Sequence, residues 1–418
     1  MEPLGLYIHI PFCLRKCKYC DFLSAPAGEE TMRQYAEALV REIRLRGEKF
    51  SANMDSAGRA PLAADISVGR GSICQNHKKY PVDTVFLGGG TPTALPADCL
   101  LSILRAVRES FDVLPGAEIT CEVNPGTFSP ELLGFLAGEI SRVSLGLQSV
   151  HDRELQLLGR IHNYLDFLDS YKALRAAGAA NVSVDLMFGL PGQTLADFEG
   201  SLRTVVELSP EHVSCYGLIL EEGTPFFVME EKGLFTGNLS LPDEELERQM
   251  YRAANRILGE YGYQRYEISN YAKPGFESRH NLRYWQRRPY LGFGIGAASL
   301  YGKRRWSNTR ELDEYLPILL GDAEALSALS RDVEVLSVKA EMEECMFLGL
   351  RMDRGVSEKT FASLFGRELS EVYGDVLRKL EAQGLLSVRM EADGSWWSLT
   401  ERGVDISNRV LAEFLLDE

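Results

Sequence analysis

Residues 7–22 read YIHIPFCLRKCKYCDF, and they place Cys13, Cys17 and Cys20 within eight positions of one another, directly after a short apolar run. A cubane [4Fe-4S] cluster takes four thiolates. The spacing C-x3-C-x2-C supplies three, and Phe22 rather than a fourth cysteine stands two positions after Cys20. The motif therefore predicts a cluster with one open iron that can bind a small molecule.

Other uses of these thiols fit the pattern less well. A structural zinc site is normally closed by four ligands in two separate pairs. Here there is one triplet, and the alternation of strand side chains predicts that His9 faces away from it. A disulfide is not expected, because the N-terminus has neither a basic segment nor a long apolar core typical of a signal peptide. The remaining cysteines stand singly and are expected to be inert: Cys74, Cys99, Cys121, Cys215 and Cys345.

Composition narrows the class of protein. The 418 residues are 45% hydrophobic and 25% charged, with a net charge of −15 and a pI near 5.1. An acidic chain repels phosphate backbones, so we expect no nucleic-acid partner. No apolar run reaches the ~18 residues of a membrane span, although peripheral membrane contact stays open. Free thiols indicate a reducing compartment, and we expect a cytoplasmic protein.

Six β-rich runs alternate with amphipathic helical segments. The predicted strands are Leu6–Ile10, Thr84–Leu87, Glu118–Val123, Arg142–Leu147, Asn181–Met187 and His212–Leu218. The predicted helices are Glu30–Arg46, Asp98–Phe111, Pro130–Glu139, Tyr164–Ala177 and Thr194–Leu208. Such alternation indicates parallel βαβ units of the α/β class. It favours a partial or closed TIM-like (β/α)6 barrel over a doubly wound open sheet.

Glycine and polar residues cluster where these predicted strands end. The second strand runs into Gly88-Gly-Gly-Thr-Pro-Thr93, the third ends at Glu122-Val-Asn-Pro125 and the fourth at Gly146-Leu-Gln-Ser149. Ligands of parallel α/β folds bind at the carboxyl ends of strands. We therefore expect these segments to converge on the cysteine loop.

The same rim carries groups that suit a methionine moiety bound to an open iron. The triglycine lets a ligand approach the backbone, and polar candidates for its contacts are Tyr19, Glu122, Gln148, Arg160 and Asp185. Each has an ordinary alternative. The triglycine could be only a tight turn, the two acids could be helix caps or partners of Arg142 or Arg175, and Arg160 could lie on a solvated helix. Together, one polar anchor per strand favours a binding site.

The cysteine triplet, the Gly-Gly-Gly-Thr-Pro run, Glu-Val-Asn-Pro and the Gln148-to-Arg160 spacing resemble the radical S-adenosylmethionine (SAM) superfamily. Within it, the YIHIPFC, GLQS…LLGRIH, DLMFGLPGQT and YEISNYA…HNLRYW segments are similar to the oxygen-independent coproporphyrinogen III oxidase-like group. The HemW-type heme chaperone branch is the nearest in pattern. The resemblance covers the chain except an insertion at about 51–80, where Cys74 and His77 form a weak C-x2-H pair in what we expect to be a solvated loop.

The resemblance implies a cluster on Cys13, Cys17 and Cys20, whose electron splits the SAM sulfonium to give a 5′-deoxyadenosyl radical. It further implies SAM contacts from these residues: Tyr7, Tyr19, Gly89, Gly90, Thr91, Glu122, Gln148, Arg160, Asp185 and, near the adenosyl group, Ile219.

Two departures separate this chain from the decarboxylating oxidases of the group. Those enzymes carry a fourth cysteine where this chain has Phe22, and a longer arm before the first strand. The resemblance therefore implies a protein that binds heme and passes it to apoproteins of the respiratory chain, with coproporphyrinogen oxidation disfavoured. A catalytic radical SAM enzyme acting on a porphyrin stays as the alternative, and cleavage of SAM is expected of both.

The segment Ser278–Trp285, with the pattern HNxxYW, is the candidate heme motif. His280 could be an axial ligand, or the segment could be a structural anchor. The family also usually has Gly-x-Gly-Ala-His where this chain has Ala298, which puts the heme ligand in question.

We expect three regions. Residues 1–240 form the barrel, 241–335 connect, and 336–418 form an α+β winged-helix-like domain of three helices and a hairpin. That last region has 10 Lys and Arg against 16 Asp and Glu, so we expect it to cover the barrel or dock proteins rather than bind DNA.

Overall fold

A computed structural model describes residues 1–52, 79–321 and 325–416 of the chain. Cys74 and His77 lie outside the described residues, as does most of the predicted insertion. The first helix continues to Ala52, two residues into that insertion.

The strands are β1 (Leu4–Ile10), β2 (Pro81–Gly89), β3 (Asp112–Val123), β4 (Arg142–Gln148), β5 (Val182–Phe188), β6 (His212–Gly217), β7 (Gln264–Glu267), β8 (Asn270–Ala272), β9 (Tyr290–Phe293), β10 (Ala298–Tyr301), β11 (Arg304–Asn308), β12 (Ser330–Val335), β13 (Val356–Ser357), β14 (Leu386–Glu391) and β15 (Gly394–Leu399). The α-helices are α1 (Glu29–Ala52), α2 (Ala97–Ser110), α3 (Pro130–Glu139), α4 (Asp152–Leu158), α5 (Tyr164–Ala176), α6 (Leu195–Glu207), α7 (Pro225–Glu231), α8 (Glu244–Glu260), α9 (Arg279–Trp285), α10 (Leu312–Leu320), α11 (Ala325–Leu329), α12 (Val338–Gly349), α13 (Glu358–Phe365), α14 (Leu369–Ala382), α15 (Glu401–Asp405) and α16 (Ser407–Ala412).

The first six strands form a parallel sheet in the order of the sequence, β1-β2-β3-β4-β5-β6. The sheet does not close on itself, because β1 pairs with β9 on its other side and β6 pairs with the antiparallel β8. The prediction of a partial (β/α)6 barrel is therefore confirmed. The predicted strands and helices of this half differ from the observed ones only at their ends.

Along each strand, apolar and polar side chains alternate between the outer face and the lumen face of the barrel. On β4, Val143, Leu145 and Leu147 belong to the hydrophobic core packed by the outer helices. Arg142 and Ser144 lie between them and therefore face the lumen. The other strands repeat this pattern, with Glu122 of β3 and Asp185 of β5 on the lumen side between buried apolar neighbours. The period-two pattern thus gives the barrel an apolar outside and a polar inside.

Residues 241–335 extend the barrel sheet at both edges. β7 and β8 add to the β6 edge, while β9, parallel to β1, leads to the antiparallel β10, β11 and β12. These strands were not expected from the sequence, because they are short and lack a clear alternation.

The C-terminal region has its own core and a small antiparallel sheet, β13-β15-β14. Helices α12, α13 and α14 precede the β14–β15 hairpin, so the winged-helix-like arrangement is confirmed. Each of the first two helices begins at a serine, Ser337 or Ser357, whose side chain accepts a hydrogen bond from the third residue beyond it.

Candidate functional site

The cysteine loop is fixed to three neighbouring segments of the barrel. Cys13 N donates to Ala25 O at 3.2 Å, and Lys18 N donates to Leu158 O, after β4, at 2.9 Å. Lys18 O accepts from Phe226 N, after β6, at 3.0 Å. The loop is thereby anchored at the carboxyl ends of β1, β4 and β6, the end that the sequence predicted for a ligand site.

Two of the three thiols lie beside side-chain hydrogen-bond donors. Thr91 Oγ1 lies 3.4 Å from Cys13 Sγ, and Arg160 Nη1 lies 3.7 Å from Cys17 Sγ. Burial raises the pKa of the Cys20 thiol, and the neighbouring Cys17 and Cys13 raise it further. Donors aimed at sulfur are the environment that a thiolate ligand requires.

The triglycine turn packs directly against the end of β1. Gly90 N donates to Ile10 O at 2.8 Å, and Thr91 N donates to Phe12 O at 2.7 Å. Gly89 has φ +108°, and a Cβ there would lie 2.3 Å from His9 Nδ1. Only glycine fits this position.

His9 does not face away from the site, so that expectation is wrong. Its Nδ1 lies 3.0 Å from the Tyr7 hydroxyl and its Nε2 lies 2.8 Å from Leu23 O. Tyr7 and His9 are two residues apart on β1, so the alternation of the strand puts both side chains on the lumen face. His9 therefore points toward the triglycine turn together with Tyr7. His9 links the predicted contact Tyr7 to the cysteine loop.

Two buried carboxyls stand on neighbouring sides of the lumen below the turn. Glu122 Oε2 accepts from Gly89 N at 3.0 Å, and Ser144 Oγ lies 3.3 Å from each Asp185 oxygen. Burial raises the pKa of Glu122 to about 7, and the charge of Asp185 contributes. Burial also raises the pKa of Asp185, opposed by hydrogen bonds from Ser214 and Ser144 and by the charge of Arg142.

Arg160 is not on a solvated helix, because it follows α4 and turns into the site. Its Nη2 donates to Asn124 Oδ1 at 2.6 Å and to Gly146 O at 2.7 Å. Asn124 in turn donates to Thr91 Oγ1 at 2.6 Å. Asn124 was missed as a site residue, although its place in Glu-Val-Asn-Pro, directly after a strand, was a usable signal.

Gln148 ends β4 in a left-handed conformation with φ +75°. The β4–β5 register shifts between Gly146 and Gln148, so the strand bulges there. A Cβ on Gly146 would lie 3.1 Å from Gln148 Nε2 and 3.2 Å from Arg160 Nη2. The bulge therefore brings the amide of Gln148 beside Arg160, on the lumen side.

Three further predicted contacts, Tyr7, Tyr19 and Ile219, differ in how deeply they are buried. Burial and the charge of Glu122 raise the pKa of Tyr7 above its usual range. Tyr19 packs on the apolar cluster around Leu158 and Phe226, beside Arg160. Ile219, two residues beyond β6, is 68% exposed.

The HNxxYW helix α9 lies at the opposite end of the barrel from the cysteines. His280 is fully buried, with its Nδ1 2.9 Å from Thr84 Oγ1 and its Nε2 2.8 Å from the Tyr284 hydroxyl. The Glu118 carboxylate accepts hydrogen bonds from the first backbone N–H groups of α9. Burial lowers the pKa of His280 to about 3. With both ring nitrogens occupied, the arrangement favours the structural anchor over an axial ligand.

The described residues provide no set of ligands for the alternative of a structural zinc site. Among those residues, no group of three or more His, Cys, Asp or Glu side chains is arranged to hold a metal ion. A cubane makes a different demand, since each of its cysteines bonds a different iron. In the same ranges, no helix has the length and apolar character needed to cross a membrane.

The chain matches two families of known proteins. Residues 72–205 match the radical SAM superfamily, and residues 336–406 match the HemN C-terminal domain. The chain is 35% identical to the heme chaperone HemW of Bacillus subtilis, covering 98% of both proteins. It is 32% identical to that of Escherichia coli, covering 100% of this chain and 99% of the relative. This chain belongs to the HemW family of radical SAM proteins.

A solved structure supports the fold. The coproporphyrinogen III oxidase HemN of Escherichia coli, described as a radical SAM enzyme, superposes with a TM-score of 0.78. The match covers 99% of this chain and 90% of that enzyme at 23% identity. The likeness confirms the radical SAM barrel with its C-terminal domain.

Family membership implies a [4Fe-4S] cluster and S-adenosylmethionine. The residues present fit both groups. Cys13 and Cys17 lie beside the hydrogen-bond donors Thr91 and Arg160, and the Gly89 backbone leaves no room for a Cβ. The Nε of Arg160 is buried without a hydrogen-bond partner, which leaves a donor for a ligand at the site.

Proposed function

We propose that this protein is a heme chaperone of the radical SAM type, which binds heme and delivers it to apoproteins, including those of the respiratory chain. We place it in the cytoplasm, where reducing conditions keep the three thiols available. The observation that carries the proposal is full-length similarity to curated heme chaperones at 32–35% identity. Phe22, exposed where the resembling oxidases have a fourth cysteine, supports the same conclusion.

We assign the cluster to Cys13, Cys17 and Cys20, and the nucleotide to the rim built by the triglycine turn, Glu122 and Arg160. When bound, this pair supplies reductive cleavage of a carbon–sulfur bond. The chain itself orients the ligand. Glu122 and Asp185 accept from an amine or from ribose hydroxyls, and the guanidinium of Arg160 holds the loop of Asn124 against the thiols.

Exposed apolar side chains at this end of the barrel support a porphyrin ligand. Leu14 and Phe22 on the cysteine loop are 57% and 61% exposed, and Ile161 and Ile219 on the loops after β4 and β6 are 50% and 68% exposed. Arg15, beside Leu14, is also exposed. Exposed apolar side chains next to a cation fit a macrocycle with carboxylates.

An anaerobic heme titration tests the proposal. Reconstituted protein is titrated with heme, and the porphyrin is then recovered and its mass measured with and without SAM and a reductant. We expect saturable heme binding, unchanged porphyrin mass, and transfer of the heme to an added apoprotein. Altered porphyrin accompanied by 5′-deoxyadenosine would favour the catalytic alternative, and absence of saturable binding would refute the chaperone.

A further inference from the structure

Arg142 is a buried cation in the lumen. It is 2% exposed, and its Nε is buried without a hydrogen-bond partner. Among the described residues, Arg142 forms no direct ion pair. An unpaired buried charge costs several kcal/mol, so such a residue persists only where its charge is compensated from a distance.

Below Arg142 the lumen holds two imidazoles and the carboxylate of Glu118. His212 and His280 lie near Arg142, and burial keeps the pKa of both below the usual range, so both are neutral. The Glu118 carboxylate is already engaged by the backbone N–H groups at the start of α9. The charge of Arg142 acts on two further carboxyls, those of Glu122 and Asp185, and both lie above it.

The register of the sheet places two acids there. Arg142 precedes Ser144 by two residues on β4, so both face the lumen. Ser144 pairs with Glu122 of β3, and its hydroxyl lies 3.3 Å from each oxygen of Asp185 on β5. The strand that carries Arg142, β4, therefore lies between the strands that carry Glu122 and Asp185. Arg142 is two residues nearer the amino end of β4 than Ser144, the residue that pairs with Glu122 and contacts Asp185.

We propose that Arg142 is a positioning residue of the nucleotide site, supplying from below the counter-charge for Glu122 and Asp185. The inference rests on the nucleotide site assigned under the proposed function. Two acids and two cations, Arg142 and Arg160, then balance inside the lumen. Arg142 touches no ligand in this arrangement, and it acts through the carboxylates that do.

Other groups act on the same pair of acids and must be held constant in a test. Besides each other, these groups are Tyr7 of β1, Cys121 of β3, Arg142 of β4, Arg160 after α4, Cys215 and Tyr216 of β6, and Tyr284 of α9. The charge of Arg142 opposes the effect of burial on both carboxyls. A unit charge one pleat away, at an effective dielectric constant of about 20, shifts a pKa by about one to two units.

The test is the pH profile of nucleotide binding. S-adenosylhomocysteine, which carries no sulfonium to cleave, is titrated calorimetrically into anaerobically reconstituted protein between pH 5.5 and about 9. In Arg142→Met we expect the acid limb of the affinity profile to move up by about one to two pH units, with about tenfold weaker binding at neutral pH. Arg142→Lys keeps the charge and is expected to keep the profile.

Thr120→Val is the matched control. Thr120 is the cross-strand partner of Arg142, is buried, and also has an unpartnered side-chain oxygen, but it carries no charge. We expect its profile to match that of the unmodified protein. Arg142→Met should also stay folded, because in the described residues no direct hydrogen-bond or ion-pair partner of the Arg142 side chain is left stranded and the two acids can take up a proton. Its unfolding would show a structural cation and overturn the inference.

The outcomes separate this inference from the proposed function. If Glu122→Gln flattens the profile while Arg142→Met leaves it in place, the nucleotide site stands and the role of Arg142 is refuted. An Arg142→Lys profile displaced like that of the methionine variant would refute it equally. If the unmodified protein binds no nucleotide at any pH, both the nucleotide site and the role of Arg142 are refuted.

Discussion

The buried carboxyl of Glu122 predicts a free energy of unfolding that falls as the pH rises toward neutrality. Its pKa is raised from 4.5 to about 7, chiefly by burial and then by the charge of Asp185. Between these two values the folded chain holds a proton that the unfolded chain has released. The free energy of unfolding therefore decreases as pH rises through that window and is flat above it.

The size of the effect follows from the shift. One pKa unit corresponds to about 1.4 kcal/mol, so ionising Glu122 in the folded chain costs up to about 3 kcal/mol. Glu122→Gln keeps an oxygen that can accept from Gly89 N and removes the charge. We expect this variant to be more stable than the unmodified chain by up to about 3 kcal/mol at pH 8, and the gain to vanish near pH 4.5.

Urea unfolding of the cluster-free protein at several pH values, followed by tryptophan fluorescence, measures the difference. Glu131→Gln is the control, because Glu131 is exposed in the first turn of α3 and backbone N–H groups lower its pKa. A lowered carboxyl pKa stabilises the folded chain above the unfolded value, so this control should lose stability at neutral pH. An equal effect of Glu122→Gln at both ends of the range would refute the reasoning.

Four further predictions concern the site and its surroundings. Cys17→Ala should abolish the absorption of the reconstituted cluster while the fold stays soluble, and retained absorption would contradict the ligand assignment. Arg160→Met should cost about 2–4 kcal/mol of stability, because it strands two acceptors, Asn124 Oδ1 and Gly146 O, and should abolish binding of S-adenosylhomocysteine; Arg153→Met on the exposed face of α4 should do neither. His280→Ala should cost about 2–4 kcal/mol and leave the heme spectrum unchanged, and a shifted spectrum would restore it as a ligand. Ile219→Glu should weaken heme binding at least tenfold in a spectrophotometric titration, without altering the cluster absorption.

The location of α9 changes how the HNxxYW motif is understood. From the sequence, His280 could equally be an axial ligand or an anchor. In the structure the helix closes the amino end of the barrel, where the His280 ring packs 5.3 Å from Phe86 and Arg351 stacks on Trp285. Arg351 belongs to the segment after α12, so the motif joins the barrel to the C-terminal region.

Much of the candidate site could be predicted from the sequence, because each of its motifs lies within a short segment of the chain. The cysteine spacing, the triglycine turn and the strand ends each follow from chemistry within a few residues. The βαβ rhythm then implies that all of these lie at one edge of the sheet. Arg160 was also predicted, although as a residue whose alternative was a solvated helix.

Other features depended on contacts between distant segments. The orientation of His9, the network of Asn124, Thr91 and Arg160, and the seat of His280 against Thr84 each join residues far apart in the chain. Strands β7 to β12 are short and carry little period-two pattern, because pairing with barrel edges rather than alternation holds them in place.

The sequence by itself determined the barrel units and the polar rim and predicted the cluster ligands, since motif spacing and hydrophobic periodicity act within one segment. Only the tertiary structure decided which acids share a lumen with Arg142, and which end of the barrel holds α9. Burial and charge balance belong to the assembled barrel, where strands that are distant in sequence face the same interior.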